Sequence, residues 1–506
     1  VIAKLKLNNK KIDLATKKVG LALSGGGYRA AFFHLGVLAR LAELDILKHI
    51  NVISTVSGGS IIGALYYLKL KERLSQEQPM QHSDYINLIM NLEGDFVRGV
   101  SKNIRSKIFL HPLNELYSVF INREKILGNL YAKYFRYSNV SMAQLKGTSG
   151  AENLPKLIIN ATLLGNGGHY FFSDENMGQY IDPKIVNSKG IIHYSEHNQI
   201  FLKDAVAASS AVPGLFNYVN FKVGTEKHKV VDGGAFDNLG IYALQKEVCD
   251  LMIISDGSRQ ISEQQLIPRK RLSVLKRSYD ASLELNKKLM LETSENFFHI
   301  HLREGHPQVD PEVSDALSRL RTDLNNFNKF ESWSLSNYGY LLTDGISQYL
   351  NTPNSETGEF VFKNTDNTVL MQLPNRKFKN KLWSGEKINT AGSNSILQTL
   401  NQLKLFLATF LVFFLIPIYF VFFAASGIIP GNNPVVNSYI IFVMYLIGFM
   451  SIYLMIVSSS GDLVHYLDYG LSKLSHFILS VIYIFLILAT ILLILSLIIV
   501  GVVKII

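Results

Sequence analysis

The chain has 506 residues, 48% of them hydrophobic, and a formal net charge of +10 at pH 7. That length allows two or three domains and a sizeable core, and the single cysteine, Cys249, excludes an intrachain disulfide. The basic excess favours anionic partners, either nucleic acid or the surface of an acidic membrane.

Val1–Lys11 is too polar for the apolar core of a signal peptide, so none is expected there. Val19–Ser24 reads as a short strand, three glycines follow, and Ala30–Leu44 is helical with Leu35, Leu38 and Leu41 on one face. The loop SGGGYRA (Ser24–Ala30) therefore sets backbone N–H groups at a helix N-terminus, where they attract negative charge. A cofactor pyrophosphate, a nucleotide phosphate and the oxyanion of a reaction all fit such a loop. Gly25, Gly27 and Ala30 even satisfy the dinucleotide pattern G-x-G-x-x-G/A.

The second strand, Val52–Val56, ends in STVSGGSIIGAL and passes into a helix that runs through Leu68. Ser57, flanked by Gly58 and Gly59, has the setting of a nucleophile elbow, although Ser-Gly-Gly also fits a simple helix cap. A dinucleotide site wants an acid at the end of this strand; Asp45 has about the right distance but ends the intervening helix. No lysine follows the glycines, as a phosphate loop requires. Both nucleotide readings lose ground.

Residues Glu93–Gln144 break the strand–helix rhythm and mix basic residues with aromatics. A cap, a membrane-facing insertion and an amphipathic packing helix all fit. Further strands are expected at Leu157–Ala161, Lys229–Val231 and Leu251–Ser255. The alternation predicts an α/β layered domain with a mainly parallel sheet.

A serine nucleophile needs a base. No histidine stands in a motif: His34 and His49 read as capping or packing residues, and His169 in GNGGHYFFS is the best histidine candidate. The alternative is Asp232 in VVDGGAFDNLG, at the end of an apolar strand, which must be partly desolvated or coupled to Ser57 to act as a base. Asp256 and Asp344, each before glycine, read as turn residues, and Asp174 with Glu175 as a solvated turn. Cys249 reads as a packed core thiol. No cluster has metal-ligand spacing, and no cofactor is implied.

Charge nearly vanishes after Lys404: Asp462, Asp468, Lys473 and Lys504 are all that follow. Leu405–Ile429, Val435–Val457 and Phe477–Val503 are each long and apolar enough to span a bilayer, which takes about 20 residues. Three very hydrophobic core helices are the rival reading, but soluble domains rarely hold such runs. Arg376, Lys377, Lys379, Lys381, Lys387 and Lys404, against Glu386 alone, place the N-terminal side on the cytoplasmic face. With Phe378 and Trp383 interleaved, this linker is expected to lie on anionic headgroups rather than nucleic acid.

SGGGYRA, TVSGG (Thr55–Gly59), AASSAVPGLF (Ala207–Phe216) and DGG (Asp232–Gly234), in that order, resemble the patatin-like phospholipases, relatives of the cytosolic phospholipase A2 catalytic domain. INATLLGNGGHYFFS and RTDLNNFNKFESWSLSNYGY add to the likeness, which covers roughly residues 15–350. Ala30 and Thr55 depart from the glycines of the family pattern. The resemblance implies a patatin-like α/β domain over 1–375, and the charge and hydropathy pattern puts a basic linker at 376–404 and an all-α transmembrane region of three helices at 405–506 after it. By the same resemblance Ser57 is the nucleophile, Asp232 the general base, Gly25, Gly26 and Gly27 the oxyanion loop, and Gly58 and Gly59 the elbow. Arg29 either steadies the loop or meets a lipid phosphate.

The expectation is a membrane-anchored phospholipase or lysophospholipase, with its catalytic domain on the cytoplasmic side of a membrane such as a bacterial inner membrane. Homo-oligomers could form through the spans. Two alternatives stand beside it: a serine esterase or thioesterase acting on other acyl esters, and a non-catalytic lipid-binding module.

Overall fold

The computed structural model describes residues 2–351, except 6–10, 77, 110–122, 138–139, 148–153, 181–190, 195–199, 224–225, 259–270 and 308. All of these belong to one compact unit. The basic linker, the three apolar stretches and the domain boundaries after 375 lie outside the described residues. Among the described residues, no helix is long and apolar enough to cross a membrane.

Eleven strands form one sheet among the described residues. They are β1 (Ile2–Lys4), β2 (Val19–Leu23), β3 (Ile50–Val56), β4 (Lys156–Leu163), β5 (Gly168–Ser173) and β6 (Met177–Tyr180). β7 (Ile191–Tyr194), β8 (Val219–Val223), β9 (Glu226–Asp232), β10 (Leu251–Asp256) and β11 (Phe297–His301) complete it. The order is β1-β11-β10-β2-β3-β4-β5-β6-β7, with β9 also paired to β4 and β8 to β9. The five central strands, β11 to β4, run parallel. Both flanks are antiparallel, a feature the strand–helix alternation did not announce. β2 (VGLAL) and β10 (LMIISD) are buried along their whole length, which is why they read as continuous apolar runs.

The helices are α1 (Gly27–Glu43), α2 (Gly58–Leu74), α3 (His82–Val100), α4 (Ile104–Phe109), α5 (Arg123–Tyr134) and α6 (Leu202–Ser209). Then come α7 (Gly234–Asp237), α8 (Ile241–Lys246), α9 (Arg271–Thr293), α10 (Pro311–Arg319) and α11 (Lys329–Asp344). α1 buries every one of its residues, not one leucine face, because α2, α3 and α11 pack around it. Gly36 makes the closest approach possible: a Cβ there would lie 1.8 Å from Ser336 O on α11. Burying all of α1 also buries Arg40, which pairs with Glu43 at 2.5 Å and with Asp344 at 2.6 Å. Asp344 is thus half of an ion pair at the end of α11, not simply a turn residue.

In α3, Tyr85, Leu88, Ile89, Leu92, Phe96 and Val100 form a buried stripe at helical spacing. Arg98 pairs with Asp95, and Arg105 of α4 with Asp323 at 2.9 Å. Within the described part of 93–144, α3 packs against α1 and α2, α4 against α5, and α5 against α6, so these helices belong to the packed domain.

Candidate active site

Three chain segments meet beyond the C-terminal ends of β2, β3 and β9. At the first, β2 runs through Ser24 into the glycines and directly into α1. Gly27 has φ +60°, a left-handed conformation, and a Cβ on it would sit 2.7 Å from Asp323 O, so this position needs glycine on both counts. Gly25 is different from its neighbours: its N–H is already given to Asn238 O at 2.9 Å. The Gly26 and Gly27 N–H groups have no acceptor among the described residues, and the same holds for Gly58. Of the three glycines expected in the oxyanion loop, two, Gly26 and Gly27, keep an open N–H, as does Gly58 beside them.

At the second segment, Ser57 caps α2 with φ 49° and ψ −113°. A non-glycine residue in such a conformation is strained, and strain of this kind persists only where the surroundings enforce it. They do: the Ser57 N–H donates to Ser209 Oγ at 3.0 Å, and the Gly59 N–H to Ser24 O at 3.1 Å. A Cβ on Gly58 would lie 2.1 Å from Gly27 O, so the elbow and the glycine loop interlock backbone to backbone.

At the third, Asp232 ends β9, in register with Ala161 of β4. Oδ1 accepts the Gly234 N–H at 2.7 Å, and the residue is 5% exposed. Oδ2 is buried and closes no regular hydrogen bond among the described residues. Burial pushes this carboxyl up to about 6, opposed by the Ser57 hydroxyl and by the Gly234 N–H. The serine hydroxyl thus acts on the carboxyl without a closed contact. Such looseness is common before substrate arrives.

Ser209, in the segment quoted above as AASSAVPGLF, links the second and third segments: its hydroxyl holds Ser57, and its carbonyl accepts the Gly233 N–H at 3.3 Å. Asn238 links the first and third. Neither was singled out from the sequence; the dense run of small residues was the available signal for Ser209.

Arg29 is fully buried. Nε and Nη2 donate to Gly257 O at 3.2 and 3.0 Å, and Nη1 to Ser318 O and Leu320 O at 2.9 Å each. With no exposed surface it cannot meet a lipid phosphate; it ties the end of α10 and the loop after β10 to the glycine loop. His169 lies in an aromatic cage of Phe171, Tyr180, Phe236 and Tyr242, with Nε2 2.7 Å from Asn160 Oδ1. Burial, with Lys246, pushes it down to about 3, so it is a neutral core residue.

Two turn readings need correction. Asp256 does accept from the Ser258 N–H at 2.9 Å, but it is also fully buried against Lys287 at 3.5 Å and His299 at 3.3 Å. Burial raises its pKa, yet the Lys287 ammonium and the hydrogen bonds from His299 and Ser258 hold it well below the usual carboxylate range. Asp174 is buried, not solvated, and burial with Glu175 raises it to about 6; Glu175 is exposed. Cys249 packs partly buried beside Gly20, and burial pushes its thiol up to about 12. Among the described residues, no group of His, Cys, Asp or Glu could hold a metal ion.

Residues 21–244 match the family model described as Patatin-like phospholipase. The chain is 23% identical over 214 residues to Triacylglycerol lipase ptl2 of Schizosaccharomyces pombe, covering 42% of this chain and 27% of the relative. The chain thus spans about a quarter of the length of that curated relative. Human GIVD cytosolic phospholipase A2 is similar in structure at 11% identity, with a TM-score of 0.41 over 66% of this chain and 60% of that one. VipD from Legionella pneumophila is similar at 13% identity, with a TM-score of 0.34 over 94% of this chain and 91% of that one. Both scores lie under one half, too low to establish a common fold.

Proposed function

We propose that the patatin-like phospholipase domain in residues 21–244 makes this chain a lipid acyl hydrolase working through a Ser57–Asp232 dyad. One observation carries the reading: a strained serine and a buried carboxyl with an unpartnered oxygen act on one another beside free backbone donors. Asp232 takes the Ser57 proton as Oγ bonds to the ester carbonyl carbon. The resulting oxyanion accepts from the N–H groups of Gly26, Gly27 and Gly58, which are fixed before the reaction begins. The tetrahedral centre collapses, the ester C–O bond breaks, and protonated Asp232 returns its proton to the leaving alcohol. Water then attacks the acyl-enzyme with Asp232 again as base, releasing the fatty acid and restoring Ser57.

The substrate we propose is a phospholipid or lysophospholipid of the cytoplasmic leaflet, reached by a domain tethered through 405–429, 435–457 and 477–503. The apolar length of those stretches and the basic linker support this, and tethering raises the effective concentration of site and substrate. Association of these spans would give homo-oligomers. A second reading, a neutral-lipid ester, is favoured by the triacylglycerol lipase relative. Mass spectrometry of membranes expressing wild type, Ser57→Ala and Asp232→Asn tests both. Lysophospholipid and free fatty acid rising with wild type alone supports the first reading; diacylglycerol rising at the expense of triacylglycerol supports the second. Unchanged lipids in all three defeat the enzyme and leave a lipid-binding module.

A further inference from the structure

Behind the glycine loop lies a buried histidine that the hydrolytic steps do not use. His34 of α1 has no exposed surface; its Nε2 is 2.9 Å from Ser24 O and its Nδ1 2.6 Å from Ser255 Oγ. A carbonyl oxygen only accepts, so the ring proton sits on Nε2, and Nδ1 accepts from the Ser255 hydroxyl. Burial pushes the imidazole down to about 4, so this single neutral tautomer persists at physiological pH.

Ser24 is the last residue before the glycines, and it is held on every side. Its carbonyl also accepts the Gly59 N–H at 3.1 Å, and its hydroxyl accepts the Gly257 N–H at 2.9 Å. Its own N–H goes to Ser255 O at 3.1 Å. The direction of the Ser24 carbonyl sets the plane of the Ser24–Gly25 peptide, and the next two peptides carry the free N–H groups. An apolar side chain of similar size would fill the His34 space and leave that plane with one restraint fewer.

We propose that His34 is a positioning residue for the reaction: through Ser24 O it orients the peptides from which Gly26 and Gly27 donate to the oxyanion. This rests on the Ser57 hydrolase reading. His34 touches neither Ser57 nor substrate, so its effect falls on the transition state and not on ground-state binding.

The test uses the full chain in detergent, a p-nitrophenyl ester as substrate and a long-chain trifluoromethyl ketone as analogue of the tetrahedral state. His34→Leu deletes the donor, His34→Gln returns an N–H near the Nε2 position, and Ser255→Ala removes only the hydroxyl that holds Nδ1 and so fixes the ring's orientation. In His34→Leu and Ser255→Ala, kcat is expected to fall about tenfold or more, with KM within about twofold and the ketone's Ki rising in proportion. His34→Gln should recover most of that loss. If His34→Leu does not fold, the comparison of Ser255→Ala with His34→Gln decides. Wild-type kcat and Ki in the variants, with only the melting temperature lowered, overturn the positioning role. Failure of a fluorophosphonate to label wild type at Ser57 overturns the hydrolase reading and the positioning role with it.

Discussion

Ser209 Oγ accepts the backbone N–H of Ser57 at 3.0 Å, and the Ser60 hydroxyl meets the same oxygen at 2.8 Å. This hydroxyl keeps the elbow's strained backbone satisfied in a place water does not reach. Ser209→Ala should therefore leave a buried N–H unpaired, at about 1–3 kcal/mol. A lower melting temperature together with reduced kcat is the expected result, read by thermal unfolding and ester hydrolysis. Unchanged values in both would show that Ser57 holds its conformation without Ser209.

Asp232 must be ionised to act as a base, and burial sets its pKa at about 6. The kcat/KM of wild type should rise with pH through about that value. The sign for stability is opposite. A carboxyl raised above its unfolded value stabilises the fold fully only below the unfolded pKa, and that contribution is lost as pH rises through about 6. Keeping the carboxylate ionised at neutral pH costs on the order of 2–3 kcal/mol. Asp232→Asn should thus be inactive yet at least as stable as wild type at neutral pH. A melting temperature well below wild type there would contradict the assigned burial cost.

Gly58→Ala would drive a Cβ to within 2.1 Å of Gly27 O. The elbow and the glycine loop must separate, so both nucleophile and donors move. Activity should drop by about a hundredfold or more, comparable to the loss of an oxyanion donor. Fluorophosphonate labelling rates measure this directly, and labelling at the wild-type rate would refute the interlock.

Arg29→Lys retains charge but cannot fork across three carbonyls. A destabilisation of about 3 kcal/mol or more is expected from the carbonyls left unpaired. Because Arg29 has no exposed surface, any residual activity should keep the wild-type preference between anionic and uncharged ester substrates. A selective loss on anionic substrates would restore a headgroup role.

The full chain should sediment with membranes and resist extraction by alkaline carbonate, because three long apolar stretches follow the basic linker. Release by carbonate would argue against spanning.

Much of the fold could be read from residues close in sequence. The strand at Val19–Leu23, the glycine loop, the elbow at Ser57 and the aspartate ending β9 each show a local pattern: an apolar run, then small residues, then a helical period. Those patterns follow from backbone sterics and from burial of one segment, so they survive without knowledge of the partner. The antiparallel flanks and the all-round burial of α1 did not show, because both depend on what packs alongside.

By itself the sequence determined the alternation of strands and helices, and it singled out Ser57, Asp232 and the glycine loop as candidates for the site. Only the tertiary structure decided which N–H groups remain free, since the Gly25 donor is consumed by Asn238, more than two hundred positions away. It alone turned Arg29 inward onto carbonyls of residues 257, 318 and 320, and made Asp256 half of a buried ion pair. The physical reason is common to all three. Hydrogen bonds and burial are properties of neighbours in space, and here those neighbours are far apart along the chain.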